Sequence, residues 1–296
     1  MKYINEFKER YFRELSNVDS ISNNWSIWGE LIKNLINEES WGEDAFNLGD
    51  NLSKVFLSTK DKGRSQSGVS SSGAGWECLV TWYLNLIFLD TNIIAVRQKK
   101  NFIPKCISDC LTVTISNSQT NSETDILVFS IPESEKLKGS TIKEFNEHLS
   151  PRIDQVNVVV LQCKTNWEDN AQIPMLWDMI YNSESKLNYV SVGINGLNPQ
   201  SLNNFKYGFV TVPTGSRGEN VKSHLLKVLR VKNLTGGNYW GKPSTTDVAS
   251  SIKEFGGRHF PSAFSSGIIN HLNKFRTKNK ENKLLTEKLL NLKFKR

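Results

Sequence analysis

Apolar side chains recur at helical spacing over residues 1–60, in three successive segments. The positions are Tyr3, Phe7, Tyr11 and Leu15 in the first segment, Trp28, Leu31, Ile32 and Leu35 in the second, and the apolar residues of 46–56 in the third. Residues three or four apart share one face of a helix, so each stripe is typical of a helix with one buried face. The pattern predicts a helical N-terminal region, and we interpret the stripes as packing faces.

The segment from Trp76 to Leu89 is apolar on most sides, as expected of a helix buried in a core. Its few polar side chains, Glu77, Thr81 and Asn85, are four positions apart and therefore lie on one stripe. Two interpretations of Glu77 remain open. Its carboxylate satisfies the helix N-terminus, or it points at a bound metal ion.

Six segments carry the apolar, β-branched pattern of strands between polar turn-forming residues. The predicted strands are 93–96, 111–115, 125–131, 156–164, 189–194 and 207–212. Residues 116–123 are predicted as a polar turn region, 133–155 as a polar excursion with a short helix, and 171–182 as a helix. Strands interrupted by helices predict an α/β (α+β) fold with a central mixed β-sheet flanked by helices.

The pattern weakens from residue 213 onward. Gly/Ser/Asn-rich loops at 214–220 and 235–244 alternate with predicted helices at 222–229 and around 245–255, and a last helical stretch precedes a basic tail. There is no internal repeat and no clean linker. We therefore predict one elaborated domain over 1–296, with a helical region 1–60, a core 61–212 and a loop-rich, helical region 213–296.

Charge and composition narrow the class of partner. The formal net charge is +7, and basic residues are concentrated between Lys274 and Arg296. Such an excess favours a polyanion, although lysine-rich solvated helices are also common. The N-terminus is too charged for a secretory signal, and no apolar run approaches the roughly 20 residues of a membrane span. The sequence predicts a cytoplasmic protein with no membrane partner.

Cysteine spacing offers only half of a zinc site. Cys106 and Cys110 are close in sequence, but no second Cys/His pair at ligand spacing accompanies them. We interpret the four cysteines as reduced, partly buried thiols.

A Gly/Ser-rich segment over 61–75 has two interpretations. It is a flexible connector, or a loop whose hydroxyls, amides and basic side chains contact phosphates. The second interpretation gives a set of candidate DNA contacts, which includes basic residues elsewhere in the chain. The candidates are Lys62, Arg64, Ser65, Lys99, Lys100 and Arg217.

The predicted strand over 156–164 ends on two polar side chains, Gln162 and Lys164. Alternation places both on one face and Cys163 on the other. If the strand beginning at Asp125 is its antiparallel neighbour, all three polar residues meet at one end of the sheet. A rival acid, Asp154, lies at the other end, about 26 Å from Gln162 at ~3.3 Å per strand residue.

An aspartate, a second oxygen ligand and a lysine suit the hydrolysis of a phosphodiester. Mg²⁺ binds through one or two carboxylates together with substrate phosphate, and it lowers the pKa of a bound water. Lys164 holds or deprotonates that water, or stabilises the developing charge. Because Gln162 is neutral, Glu77 becomes useful as a second anionic ligand.

Thr124-Asp125 before a strand, followed by Gln162-Cys163-Lys164 at the end of another, resembles the PD-(D/E)XK nuclease superfamily, which includes many type II restriction endonucleases. The resemblance spans roughly residues 76–212 and implies a restriction-endonuclease-like core, with Glu77 on the helix that often lends a glutamate. Threonine replaces the motif proline, and glutamine replaces the acid, which makes this a Gln-x-Lys variant.

The resemblance implies a Mg²⁺-dependent, sequence-specific endonuclease for double-stranded DNA, in which Mn²⁺ substitutes for Mg²⁺. It also implies a homodimer and a companion DNA methyltransferase acting on the same site. Two alternatives remain open. One is a repair, recombination or structure-specific nuclease of the same fold, and the other is a catalytically inactive DNA-binding protein.

Overall fold

The computed structural model describes residues 2–59, 67–98, 100–121, 124–133, 137–165, 189–212, 221–234, 236–245 and 247–278. Its helices are α1 (Lys2–Ser16), α2 (Asp19–Ser22), α3 (Trp25–Leu35), α4 (Trp41–Asn47), α5 (Leu52–Leu57), α6 (Ser67–Ile87), α7 (Lys105–Leu111), α8 (Ile142–Leu149), α9 (Leu226–Leu234), α10 (Phe255–His259) and α11 (Ile268–Lys278). Its strands are β1 (Ile93–Arg97), β2 (Thr112–Ile115), β3 (Ser118–Asn121), β4 (Ile126–Ser130), β5 (Asn157–Lys164), β6 (Val190–Val192), β7 (Asn204–Thr211), β8 (Asn238–Trp240) and β9 (Ser250–Ser251).

The central sheet is six-stranded and mixed, in the order β1-β4-β5-β7-β8-β9. Strands β1, β4 and β5 pair antiparallel, whereas β5, β7, β8 and β9 pair parallel. The inner strand β5 is buried except at its two end residues, as its unbroken apolar run predicts. Helices pack against both faces of this sheet. The predicted mixed sheet flanked by helices is confirmed.

A second sheet of three strands has the order β3-β2-β6. The predicted strands 111–115 and 189–194 belong to it as β2 and β6. The polar turn predicted over 116–123 is wrong in part, because Ser118–Asn121 is β3 and pairs antiparallel with β2. The residues of β3 from Ser118 to Thr120 are exposed, so the strand lacks the apolar alternation by which a half-buried strand is recognised.

Helix α6 begins at Ser67 rather than Trp76. The loop predicted over 61–75 is therefore wrong for residues 67–75, and residues 61–66 lie outside the described residues. Gly75 lies beside the Trp28 ring, to which a Cβ at this position would be 3.4 Å away, an ordinary van der Waals contact. Helix α6 packs against α2 and α5, and glycine and serine in its first turns have low helix propensity, so the sequence did not indicate this start.

Strand β1 lies at one edge of the central sheet. Side chains form hydrogen bonds with backbone N–H and C=O groups that face away from β4. The Asn85 amide of α6 donates to the carbonyl oxygen of Ala95 at 2.7 Å and accepts from its N–H at 3.1 Å. The hydroxyl of Tyr11 accepts from the N–H of Arg97 at 2.8 Å. These bonds replace the strand partner that an edge otherwise lacks.

Strand alternation gives the central sheet two different faces. The register places Gln162, Phe209 and Asn238 in one row across β5, β7 and β8, on the same face. A small apolar cluster covers part of this face and consists of Phe209, Val228, Val231, Trp240, Val248 and Ala249. Leu161 and Cys163 lie on the opposite face, within the large core that includes α6.

The large apolar core extends from Ile4 in α1 to Phe275 in α11. Lys8 is buried in it, and its Nζ donates to the carbonyl oxygens of Phe88 and Thr91 at 2.7 Å each. These carbonyls follow the end of α6, where a cation is favourable. The predicted division at residues 60 and 212 stays a prediction. Among the described helices, none is long and apolar enough to cross a bilayer.

The region after residue 213 differs from its prediction. Residues 235–244, predicted as a loop, contain β8, which is too short for alternation to reveal. Residues 245–255, predicted as a helix, form a bridge between Thr245 and Ala249 and then β9, and α10 begins only at Phe255. The predicted helix 222–229 corresponds to α9, which starts at Leu226. The predicted helix 171–182, the loop 214–220 and residues 279–296 of the tail lie outside the described residues.

Candidate functional site

Asp125 lies directly before β4, beside the end of β5. The antiparallel register pairs Ile126 with Leu161, so Asp125 and Gln162 are the next residues along the two strands. The Asp125 Oδ2 accepts a hydrogen bond from the backbone N–H of Cys163 at 2.6 Å. This bond fixes the carboxylate against the backbone of the Gln162-Cys163-Lys164 segment. The predicted antiparallel neighbours are confirmed, and they meet at the predicted end.

Gln162 is 1% exposed, and its Oε1 accepts a hydrogen bond from the Tyr207 hydroxyl at 2.8 Å. Tyr207 belongs to β7, and the parallel register places it opposite Val160. Val160 is two residues before Gln162, so Tyr207 and Gln162 lie on the same face of the sheet. A carbonyl oxygen has a second lone pair, so this bond orients the amide without exhausting its acceptor capacity. Sequence reasoning missed Tyr207, because only the pairing of β5 with β7 brings it to this site.

Lys164 ends β5, and its backbone oxygen accepts from the N–H of Val212 at 3.1 Å. The side chain is partly exposed, in contrast to the buried strand that precedes it. Alternation puts Lys164 on the Gln162 face, in register with Thr211 of β7. The ammonium is thus presented at the sheet end, where burial is incomplete.

Glu77 is the eleventh residue of α6, so the interpretation that it satisfies the helix N-terminus is wrong. Its Oε2 accepts from Arg97 Nη2 at 2.6 Å and from Arg97 Nε at 3.1 Å. Arg97 is the last residue of β1 and pairs with Ile126 of β4. Sequence reasoning missed this partner. Its only signal was a charged residue directly after an apolar strand.

The Cys163 thiol lies among the charges of this site. Burial raises its pKa well above the usual value, the carboxylates of Asp125 and Glu77 raise it further, and Arg97 and Lys164 act in the opposite direction. The thiol therefore stays protonated and uncharged. Two carboxylates and two cationic side chains thus act on the thiol in opposite directions.

The oxygen ligands predicted for Mg²⁺ divide into two groups. Asp125 and Gln162 come to one strand end, and both carry oxygens that suit a hard cation. Glu77 is engaged by Arg97, so its role as a ligand stays a prediction. Within the described ranges no three or more His, Cys, Asp or Glu side chains form a group that could hold a metal. Mg²⁺ needs fewer protein ligands than such a group, since waters and phosphate complete its shell.

Most of the predicted DNA contacts lie outside the described residues: Lys62, Arg64, Ser65, Lys99 and Arg217. Lys100 begins a short 3₁₀ helix, Lys100–Phe102. One further basic residue lies near the same sheet end as Lys164. Lys242 is 4.5 Å from the centroid of the Trp240 ring, and Trp240 is in register with Thr211.

The resemblance to nucleases rests on these residues alone. Comparison with protein-family models, with curated proteins and with solved structures finds no match.

Proposed function

We propose that this protein is a Mg²⁺-dependent endonuclease of the PD-(D/E)XK kind that cleaves double-stranded DNA at a specific sequence. The observation that carries the proposal is the 2.6 Å bond from the Cys163 N–H to Asp125 Oδ2. It joins the two halves of the motif, Asp125 on one strand and Gln162-Cys163-Lys164 on its neighbour. The net charge of +7 supports a polyanionic substrate.

Each residue has a role that follows from its position. Asp125 and the Gln162 amide oxygen would hold the metal ion, whose chemistry would be to lower the pKa of a bound water and to polarise the phosphoryl group. Lys164 donates to the attacking water or to the charge that develops on phosphate oxygens. Tyr207 keeps the Gln162 oxygen oriented. Arg97 balances Glu77, so that the site does not accumulate unpaired negative charge.

Plasmid cleavage tests the proposal. Purified protein with supercoiled or linear duplex and Mg²⁺ should give discrete fragments, and Mn²⁺ should replace Mg²⁺. Asp125→Asn and Lys164→Ala should each lower the rate by roughly two orders of magnitude or more. The matched controls are Asp154→Asn and Lys143→Ala, two exposed residues away from this strand end, which should cleave as the wild type does. Equal loss in the controls, or no cleavage of varied duplexes with either metal, would overturn it.

Fragment ends separate restriction-type cleavage from other nucleases of this fold. A restriction enzyme leaves defined ends on linear duplex, and methylation by a companion DNA methyltransferase should block it. A repair or structure-specific nuclease cuts branched or damaged DNA in preference to linear duplex. A homodimer bound to a palindromic site should show two protein chains per duplex in sedimentation or light scattering.

A second candidate, a DNA-binding protein without catalysis, is favoured by one observation. Of the three predicted ligands, Gln162 is neutral and hydrogen-bonded to Tyr207, and Glu77 is paired with Arg97. Two of the three predicted ligands therefore offer a metal no unpaired negative charge. Titration with Mg²⁺ or Mn²⁺ decides between the candidates. Metal binding that Asp125→Asn weakens supports the enzyme, whereas duplex binding without metal binding supports the second candidate.

A further inference from the structure

The three-stranded sheet has one face packed on the protein and one face turned to solvent. Val113 of β2 is buried, and Val192, its partner on β6, packs against the large core, so these two residues belong to the packed face. Alternation places Gln119, Thr114 and Ser191 in one row across β3, β2 and β6 on the opposite face. Gln119 and Ser191 are exposed, and Thr114 is partly exposed. We call this the outer face.

Strands β2 and β3 form a ribbon whose tip is exposed. The register pairs Ile115 with Ser118, so that a two-residue turn, the common connection of a hairpin, joins the strands. The side chains of residues 115–120 are all exposed. The ribbon therefore presents two amide side chains to solvent, Asn117 in the turn and Gln119 on the outer face.

Charged residues are missing from the sequence of this sheet and its flanks. Residues 110–122 and 189–205 contain no Asp, Glu, Lys, Arg or His, although charged residues make up 23% of the chain. Charged side chains are otherwise typical of protein surfaces. The outer face thus has no acid to repel phosphates, and its neutral donors and acceptors suit hydrogen-bonding groups that are also neutral. Base edges in a DNA groove are such groups.

The ribbon is connected closely to the proposed metal ligand. Strand β3 ends at Asn121, four residues before Asp125, and Gln119 is six residues before it. A chain spans at most about 3.6 Å per residue, so the Cα atoms of Gln119 and Asp125 are at most about 22 Å apart. At roughly 3.4 Å per base pair, this reach covers about six base pairs from a phosphate at Asp125. Lys164, partly exposed at the same sheet end, supplies positive charge for the phosphates beside this neutral surface.

We propose that the β2–β3 ribbon enters the major groove of duplex DNA, where the amides of Asn117 and Gln119 read base edges. This assignment rests on the proposed nuclease function. The major groove is about 12 Å wide and admits a two-stranded ribbon, whose strands are about 4.8 Å apart. A side-chain amide accepts from adenine N6 and donates to adenine N7, a pair of groups that adenine alone presents in this groove. The two amides therefore determine sequence specificity at A·T pairs.

Selection of bound duplexes from a pool of random sequence tests the assignment. The full chain carries Asp125→Asn, so that bound DNA is not cleaved. The bound duplexes should favour A·T at two positions. Gln119→Ala and Asn117→Ala should each lower the preference at a different one of these positions by at least about fivefold, and should leave the other positions unchanged.

The matched control is Gln200→Ala. Gln200 is an exposed amide in the 3₁₀ helix Pro199–Ser201, just before the start of β7 and thus towards the sheet end opposite to Lys164. This variant should keep every preference of the parent chain.

Other results would overturn the assignment. These are no sequence preference, the same preferences in the parent chain and both amide variants, or a uniform loss of affinity in the variants, which indicates phosphate contacts alone. Unchanged preferences are also the result expected if the edge of β3 pairs instead with an extended protein segment, because backbone groups make that contact.

Cleavage by the wild type separates the ribbon from the nuclease site. Discrete cleavage, with preferences that neither Gln119→Ala nor Asn117→Ala changes, would refute the ribbon alone. Amide-dependent preferences in the bound duplexes, without cleavage by the wild type, would refute the nuclease alone. Failure to bind any duplex would refute both.

Discussion

The Tyr207 hydroxyl donates a hydrogen bond to Gln162 Oε1 at 2.8 Å, at a position that is 1% exposed. In the family that the chain resembles, this position carries an acid. Here a neutral amide occupies it, and a tyrosine from the next strand orients the oxygen. The position of this acceptor is therefore set by a protein side chain.

Gln162→Glu should raise the affinity for Mg²⁺ by about tenfold, equivalent to about 1.4 kcal/mol, because a carboxylate adds negative charge to the ligand set. Without metal the same change should lower the free energy of unfolding by about 1–3 kcal/mol, since burial of an ionised group is unfavourable. Mg²⁺ should restore the melting temperature, because a ligand that binds only the folded state stabilises it. Thermal melts with and without Mg²⁺ measure both effects.

Gln162→Leu is the control for this prediction, since it removes the oxygen and adds no charge. It should show no Mg²⁺-dependent change in melting temperature. If Gln162→Glu and Gln162→Leu respond equally to Mg²⁺, Gln162 does not face the metal.

The ion pair between Glu77 and Arg97 should contribute measurably to stability. Both side chains are about one-fifth exposed, and the carboxylate accepts two guanidinium N–H groups. A double-mutant cycle with Glu77→Gln and Arg97→Gln should give a coupling energy of about 1–3 kcal/mol. Chemical denaturation of the four proteins measures it.

The matched control is the pair of Lys143 and Glu147, which is 3.9 Å apart and mostly exposed. Its cycle should give about 0.5 kcal/mol or less. Equal coupling in both cycles would show that the Glu77 carboxylate is not held by Arg97 and is available for another partner.

The buried ammonium of Lys8 should make stability depend on pH. Burial lowers its pKa to about 7, and the Asp90 carboxylate opposes this in part. Between pH 7 and the ordinary lysine pKa, the unfolded state binds a proton that the folded state does not. Stability should therefore rise with pH by up to about 1.4 kcal/mol per pH unit, and it is lost as the pH falls towards 7.

Denaturation between pH 7 and 8 measures this effect below the range in which unfolded cysteines and tyrosines ionise, since burial raises the pKa of the Cys106, Cys110 and Cys163 thiols and gives a pH dependence of opposite sign above it. Lys8→Met should abolish the rise, whereas Lys33→Met, at an exposed position, should retain it. An identical slope in wild type and Lys8→Met would contradict the prediction.

His259 should reduce stability in acid. Burial lowers its pKa to about 4, and the positive charges of Arg258 and Lys206 add to the effect. Its Nε2 lies 2.6 Å from the Tyr239 hydroxyl oxygen. As the pH falls from about 6.5 to about 4, the unfolded state gains a proton first, so stability falls over that window.

His259→Gln keeps a polar partner for Tyr239 but does not titrate, so its loss of stability from pH 6.5 to 4 should be smaller than that of the wild type. His224→Gln, at an exposed position, is the comparison variant and should follow the wild type. Urea denaturation at both pH values gives the difference.

Sequence patterns predicted those parts of the fold in which burial is uniform. Strand β5 was predicted within one residue, because a run of β-branched residues suits a strand buried on both faces. The start of α6 was not predicted, since the serines and glycines before Gly75 have low helix propensity. Strand β8 has three residues, too few for a periodic signal.

The sequence predicted those residues of the candidate site that follow from local patterns and from the pairing of two neighbouring strands. Asp125 and the end of β5 meet as expected. Tyr207 and Arg97 were missed because each reaches the site through pairing or packing between segments distant in sequence. Such contacts depend on strand order, which residue patterns do not encode.

The hydrogen bonds that Asn85 and Tyr11 make to β1 bear on how two copies of the chain can assemble. A dimer that extends one sheet into another needs bare strand edges on both copies, and on this edge side chains already bond the Ala95 N–H and C=O and the Arg97 N–H. Strand pairing between two copies is then left to β9 or to the edges of the three-stranded sheet, β3 and β6. If two copies of the proposed nuclease bind one duplex, the spacing of their cleavage points is not set by a sheet that continues through β1.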